Sequence, residues 1–440
     1  MSSAARTPTR TVPAGRDLTL DLVRVACVVL VVFAHILFSG VGRGSDGSIL
    51  IERTVEQQTW FDVASWIADI MPLFFVVGGF AARAGWASAQ KRGVTEDEFV
   101  RVRLARLARP ALPLFVFFSV ALGAARMLGI DPTLVDTVAI GVGSPLWFLA
   151  AYITAQALAP TMMRLHARYG GRVLVVLFAC VVLVDLLRFG LVRGVLGVHS
   201  LPPDHYGVGD ELAGIPNVLF VWLFCQQVGF FLYDGWFRRR SAWLLIALMA
   251  GGYGLAVASV PLMGYSWNML ANQWPPTLPL AILAIVQAAG LTLLHRPLTA
   301  LTRVRAVQGM MLLIGSRLMT VYLWHLPVVM ILIGIELLLP IPMPAPGGAL
   351  WWWTRVPFLL LVLAVVWMLS IPLARFEKVP PLGAPRLQIA TPLAVVLFLL
   401  PPLAISAYGL DLPLAAAGLV LTVTALWLTG GFGSRERAVS

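Results

Sequence analysis

Two ionisable side chains inside the first apolar run, Arg24 and His35, stand eleven residues apart. In an α-helix that is about three turns, so both share one face with a rise of ~16 Å between them. Ionisable groups in hydrocarbon are costly, and those that persist usually serve a site or pair with each other. A guanidinium at one level and an imidazole three turns deeper suit a substrate with an anionic head and a long arm. A coenzyme A ester fits that description, with its phosphates at arginine and its thioester carried down to the histidine. His35 would then act as general base on an acceptor hydroxyl, because imidazole has the side-chain pKa nearest neutrality, or would take the acyl group transiently itself. The plain alternative is that Arg24 snorkels towards lipid phosphates and pairs with Asp21 one turn before it, while His35 is a packing residue.

A second basic group lies in Arg101-Val-Arg103-Leu-Ala-Arg106-Leu-Ala-Arg109-Pro110. Arg103, Arg106 and Arg109 recur every third residue and form a slowly drifting helical stripe, and guanidinium forks match phosphate oxygens. An ordinary cationic membrane anchor has the same composition. Pro110 restricts the residue before it and marks a turn into the next apolar run. Further on, Ser144-Pro-Leu-Trp147-Phe148-Leu and Tyr322-Leu-Trp-His325-Leu-Pro327 interrupt apolar runs with aromatic and polar groups. Trp147 suits an interfacial belt. His325, close to a proline that frees a backbone carbonyl, suits a local hydrogen bond as well as a ligand role.

Metal and redox chemistry have little support. His199, Asp204, His205, Asp210 and Glu211 gather in the segment 192–214, but Gly and Pro interrupt them and they read as solvated loop residues. Cys27, Cys180 and Cys225 lie singly in apolar runs, without CxxC spacing, and imply neither disulfides nor a metal site.

The elements that must position these groups are set by hydropathy. Of 440 residues, 59% are hydrophobic and 12% charged, and the mean hydropathy is +0.86, more than a water-soluble core can hide. Apolar runs of membrane-spanning length recur at about 17–39, 60–85, 110–128, 145–163, 173–191, 215–233, 242–260, 277–294, 308–339, 355–374, 389–409 and 413–430. Pro401-Pro402 and Pro413 shorten the last two and leave a tilted or re-entrant hairpin open. The first run is long and no small-residue cleavage pattern follows it, so it reads as a retained signal anchor.

The net charge of +11 does not point to nucleic acid, because the cations sit at the ends of the runs. Alternate loops hold them: 86–109, 164–172, 238–240, 296–305 and 375–386 are rich in Arg and Lys, whereas 129–144 and 261–276 contain none. The positive-inside rule therefore predicts an all-α polytopic protein of twelve spans with both termini cytosolic. In 40–59, Arg43 and Arg53 stand against Asp46, Glu52 and Glu56, and Arg126, Arg188 and Arg193, near outer span ends, are the exceptions. Thr95-Glu96-Asp97-Glu98 reads as a helix start, and the basic segment it opens is expected to lie along the membrane surface. Residues 1–16 and 431–440 are expected as cytosolic tails. No internal repeat is visible.

Taken in order, Leu20-Asp21-Leu-Val-Arg24 through His35, Leu73-Phe-Phe-Val-Val-Gly-Gly-Phe80, the Arg103/Arg106/Arg109 cluster, Leu146-Trp147-Phe148 and Tyr322-Leu-Trp-His325 resemble membrane acyltransferase family 3. These are multi-pass O-acyltransferases that modify bacterial glycans, lipids and some natural products. The resemblance covers about 17–375 and leaves 389–430 as an additional helix pair beyond the usual ten. It implies a catalytic His35, an acyl-donor side formed by Arg24 and the arginine cluster, and supporting or acceptor-side roles for Asp21, Trp147 and His325. It further implies an acyl-CoA co-substrate such as acetyl-CoA, with no tightly bound cofactor or metal, a hydroxyl-bearing acceptor, and residence in the plasma (inner) membrane. Gly78-Gly79 departs from the Ser-Gly common in the family, and close helix packing by small residues is the remaining expectation there. Twelve spans also suit a secondary transporter, but no inverted repeat or paired broken helices accompany them.

Overall fold

The computed structural model describes residues 18–43, 48–199, 209–340 and 343–433. The expected N-terminal tail over 1–16, Asp204 and His205 of the 192–214 segment, and residues 434–440 lie outside these. A chain in hydrocarbon must satisfy its backbone polar groups within each segment, which favours helices. The described chain runs α1 (Leu18–Phe38), a hairpin of β1 (Gly40–Arg43) and β2 (Ile49–Glu52), α2 (Phe61–Ala68), α3 (Met71–Gln90), α4 (Glu96–Met127), α5 (Pro132–Gly143), α6 (Leu146–Tyr169) and α7 (Arg172–Asp185). It continues as α8 (Glu211–Gly214), α9 (Asn217–Tyr233), α10 (Ala242–Met263), α11 (Leu278–Leu293), α12 (His295–Leu301), α13 (Arg305–Gly315), α14 (Leu318–Leu338), α15 (Ala349–Glu377), α16 (Ala390–Tyr408) and α17 (Leu412–Leu428). The small antiparallel hairpin pairs Gly40 with Glu52 and Arg43 with Ile49.

Among the described residues, ten helical segments are long and apolar enough to cross a bilayer. α11 and α12, bent by 63°, form one more if they are a single broken span, and the apolar α17 is shorter. This is a polytopic helical membrane protein.

Several boundaries differ from the sequence reading. The basic segment before Pro110 does not turn at that proline: α4 is one helix of 32 residues that contains both Pro110 and Pro113. Prolines are tolerated in membrane helices where neighbouring groups take up the freed carbonyls. Its start is as expected, with the Thr95 hydroxyl accepting from the Glu98 N–H at 3.2 Å. The run over 308–339 divides into α13 and α14 at Ser316-Arg317, where the Arg317 guanidinium donates to the Ser370 hydroxyl at 3.0 Å and to the Ser370 carbonyl. The second run breaks at Asp69-Ile70, between α2 and α3, and Asp69 accepts from the Met71 N–H at 3.1 Å.

Packing depends on missing side chains. A Cβ on Gly79 would lie 2.2 Å from the Gln226 carbonyl oxygen, and one on Gly229 would lie 2.0 Å from that of Val76. α3 and α9 therefore meet backbone to backbone, as small residues permit in a membrane. The expected packing role of Gly78-Gly79 is observed.

At the end of the bundle away from the arginine-rich loops, Asp185 accepts from Tyr265 Oη at 2.5 Å, Asn217 Nδ2 at 2.8 Å and the Leu278 N–H at 2.8 Å. This single carboxylate ties α7, α9 and the start of α11 together. Burial, then the Asp185 carboxylate, holds the Tyr265 phenol far above the usual tyrosine range. Beside it, Arg188 and Arg193 both reach Asp210 Oδ2, at 3.0 and 2.8 Å. Two of the three cations that break the loop-charge pattern are thus neutralised by pairing. Asp210, expected as a solvated loop residue, is instead buried in this pairing.

Candidate active site

α1 delivers His35 in its last turn, and α14 brings His325 against it. His325 Nε2 lies 3.3 Å from His35 Nδ1, with ring centroids 4.9 Å apart. Each ring is oriented by its own helix: His35 Nδ1 is 2.8 Å from the Val31 carbonyl, and His325 Nδ1 is 2.5 Å from the Tyr322 carbonyl. A carbonyl oxygen can only accept, so in the neutral rings both Nδ1 atoms carry the hydrogen. His325 Nε2 is then an acceptor facing the His35 Nδ1–H. The remaining nitrogen, His35 Nε2, holds a lone pair and has no hydrogen-bond partner among the described residues. His325 is 1% exposed, whereas His35 is only partly buried. His325 does not use the carbonyl freed by Pro327, which belongs to Leu323; its bond is to the preceding Tyr322.

Another histidine shows the contrast. His166 donates from Nε2 to Asp234 at 2.8 Å and accepts at Nδ1 from Gln227 Nε2 at 2.7 Å. Both of its nitrogens are occupied in packing α6 on α9.

The histidine pair is connected to the arginines along one face of α6. Phe148, Tyr152 and Gln156 follow each other at four-residue intervals and so lie one above another over ~12 Å. Phe148 lies 4.8 Å from the Tyr322 ring and stacks on Tyr152 at 5.3 Å. Gln156 Oε1 accepts from Arg103 at 2.5 Å. The Arg103 guanidinium lies over the Phe99 ring at 4.2 Å, and Tyr152, Arg106 and Arg24 are its electrostatic neighbours. Tyr322 closes the other end, donating to the Pro145 carbonyl at 2.5 Å. A small cavity beside His325 is lined by Leu114, Val142, Pro145, Leu146 and Tyr322.

The expected site residues thus fall into four groups. His35, His325, Arg24 and Arg103 lie along this line, and Arg106 is exposed beside it. Trp147 packs inward, stacked on Trp222 at 5.4 Å, with Trp274 at 6.4 Å. Asp21 sits one turn before Arg24 and has a contact of its own. Arg109 is turned elsewhere: it donates to the carbonyls of Lys378 at 3.1 Å, Gly431 at 2.9 Å and Arg375 at 3.4 Å.

The family model described as an acyltransferase domain matches residues 17–375. The chain belongs to acyltransferase family 3. This acyltransferase matches no curated protein and no solved structure. Of its motif residues, His35, His325 and Arg103 meet on the line just described, whereas Arg109 and Trp147 are engaged elsewhere.

Tyr152 and Gln156 were missed in the sequence. Their signal was a polar group recurring every fourth residue after Phe148 on an otherwise apolar helix. Asp185 was missed too, although a lone carboxylate within an apolar run is a recognisable mark.

Proposed function

We propose that the protein transfers an acyl group from a cytosolic acyl-CoA to a hydroxyl of a glycan, lipid or small-molecule acceptor, in the plasma membrane. The observation that carries the reading is the unpartnered Nε2 of His35, backed by His325 and about three turns along α1 from Arg24, which is an electrostatic neighbour of Arg103. The orientation with cytosolic termini, taken from the loop charges, puts the arginines at the donor's side of entry.

The phosphates of the donor engage Arg24, Arg103 and Arg106, and its pantetheine arm follows the aromatic face of α6 towards the histidines. His35 Nε2 removes the hydroxyl proton of the acceptor as its oxygen attacks the thioester carbonyl. His325 Nε2 accepts from His35 Nδ1–H, holding the ring in the tautomer that leaves Nε2 basic and favouring the imidazolium that forms. The tetrahedral intermediate collapses with loss of the coenzyme A thiolate, which takes the proton back from His35. The products are the ester and free coenzyme A, and His35 is returned neutral.

The test is purified protein in nanodiscs with acetyl-CoA and extracted envelope glycans and lipids, following thiol release and the mass of any ester formed. His35→Ala at equal membrane abundance is expected to lower both signals by at least about a hundredfold. Full transfer by that variant would remove the general-base role.

A further inference from the structure

The helix pair α16–α17 lies outside the matched domain, yet its ends are tied to the arginine-bearing helix. Arg101, one turn above Asp97 on α4, is 9% exposed. Its Nε donates to Asp97 at 2.8 Å and its Nη1 to the carbonyls of Gly383 at 2.8 Å and Thr429 at 3.2 Å. Eight residues on, Arg109 takes the carbonyls of Arg375, Lys378 and Gly431. A cation at these positions satisfies carbonyls that the C-terminal ends of α15 and α17 leave without partners in their own helices.

The strands of chain being capped are also joined to each other. Gly383 N–H donates to the Gly430 carbonyl at 3.1 Å and Arg386 N–H to that of Leu428 at 3.0 Å. Gly430 has φ +67°, and a Cβ there would lie 2.7 Å from the Gly383 carbonyl oxygen, so the approach needs glycine. Further up, α17 lies directly on α4: a Cβ on Gly418 would be 2.4 Å from the Phe115 ring.

Of the four arginines on this stretch of α4, two are therefore held by the C-terminal segments, and Arg103 and Arg106 lie between them. We infer that the helix pair is a brace, in which Arg101 and Arg109 are positioning residues that lock the basic half of α4 so that Arg103 and Arg106 are presented to the donor phosphates. The donor part of this inference rests on the function proposed above; the mechanical part does not. Each of the two arginines acts through the helix and touches no substrate.

Arg101→Gln removes the carbonyl cap, and Gly418→Ala, chemically unrelated and far from the phosphates, lifts α17 from Phe115. Both are compared with the intact protein in nanodiscs. Hydrogen exchange of 96–109 without donor is expected to quicken in each variant. The KM for acetyl-CoA is expected to rise about tenfold in each, with a much smaller change in kcat. Arg101→Lys, which keeps a cation but not the forked cap, is expected to behave like Arg101→Gln. Unchanged exchange in the two variants would overturn the brace, as would a wild-type KM in Gly418→Ala. Full recovery of KM by Arg101→Lys would instead make Arg101 a direct phosphate ligand and overturn its positioning role. If the intact protein shows no response to acetyl-CoA, the donor reading falls, and exchange alone decides the brace.

Discussion

His35 Nδ1 and His325 Nε2 approach to 3.3 Å although 290 residues separate them. The contact assigns unequal roles to two chemically identical rings. One has a nitrogen without a partner among the described residues, and the other has both nitrogens engaged inside the protein.

That inequality predicts different losses. His35→Ala should lower the rate of acyl transfer by ~10²–10⁴-fold, the usual contribution of a general base. His325→Ala should leave donor affinity intact and lower kcat by about 10²-fold, because it misplaces the base without removing it. Thiol release from acetyl-CoA, measured at matched protein abundance, separates the two variants. Equal and complete inactivation would argue that His325 contacts substrate itself.

Arg103 is bound to Gln156 at 2.5 Å and lies over Phe99 at 4.2 Å. Both contacts use the planar fork of the guanidinium, which an ammonium group does not reproduce. Arg103→Gln and Arg24→Gln should each raise the KM for acyl-CoA by about ten- to a hundredfold, as expected for a charge-assisted hydrogen bond lost from a bound phosphate. Arg103→Lys should recover little of this. Initial-rate measurements over a range of acetyl-CoA concentrations check it.

Gly79 and Gly229 leave no room for a methyl group between α3 and α9. Gly79→Ala should destabilise the protein by ~1–3 kcal/mol, the range for overpacking a tight core. The neighbouring Gly78→Ala should be milder, since its Cβ would meet the Tyr152 ring at 3.1 Å rather than backbone. Thermal unfolding in detergent, followed by loss of the monodisperse peak, ranks the two.

Tyr265→Phe removes a donor from the Asp185 carboxylate, which holds three segments together. The expected cost is about 1.5–3 kcal/mol, the range for hydrogen bonds to charged groups. The loss should appear as lower resistance to detergent unfolding with KM for acyl-CoA unaltered, because the cluster lies at the end of the bundle away from Arg24, Arg103 and Arg106. A changed KM would place this cluster in donor binding.

Much of the chain could be read residue by residue. Asp21, Arg24 and His35 declared themselves by lying in an apolar run, and their shared face follows from helical periodicity alone. The start of α4 at Thr95 was equally local, being a hydroxyl and three acidic residues at the head of a helix. The continuation of that helix through Pro110 and Pro113 was not, because a proline's effect depends on which neighbours satisfy the carbonyls it frees.

The arginines of α4 show the limit most clearly. Arg101, Arg103, Arg106 and Arg109 have the same chemistry and nearly regular spacing, yet Arg103 meets Gln156, Arg101 and Arg109 cap distant carbonyls, and Arg106 is exposed. Hydropathy and helical period, properties of adjacent residues, determined the membrane fold and the pairing of Arg24 with His35 on one face. Which histidine faces another, and which guanidinium is left for a ligand, was decided only when helices far apart in the chain packed together. Contacts between helices follow from shape and from unmet hydrogen-bonding groups on both partners, and neither leaves a periodic mark in the sequence of one.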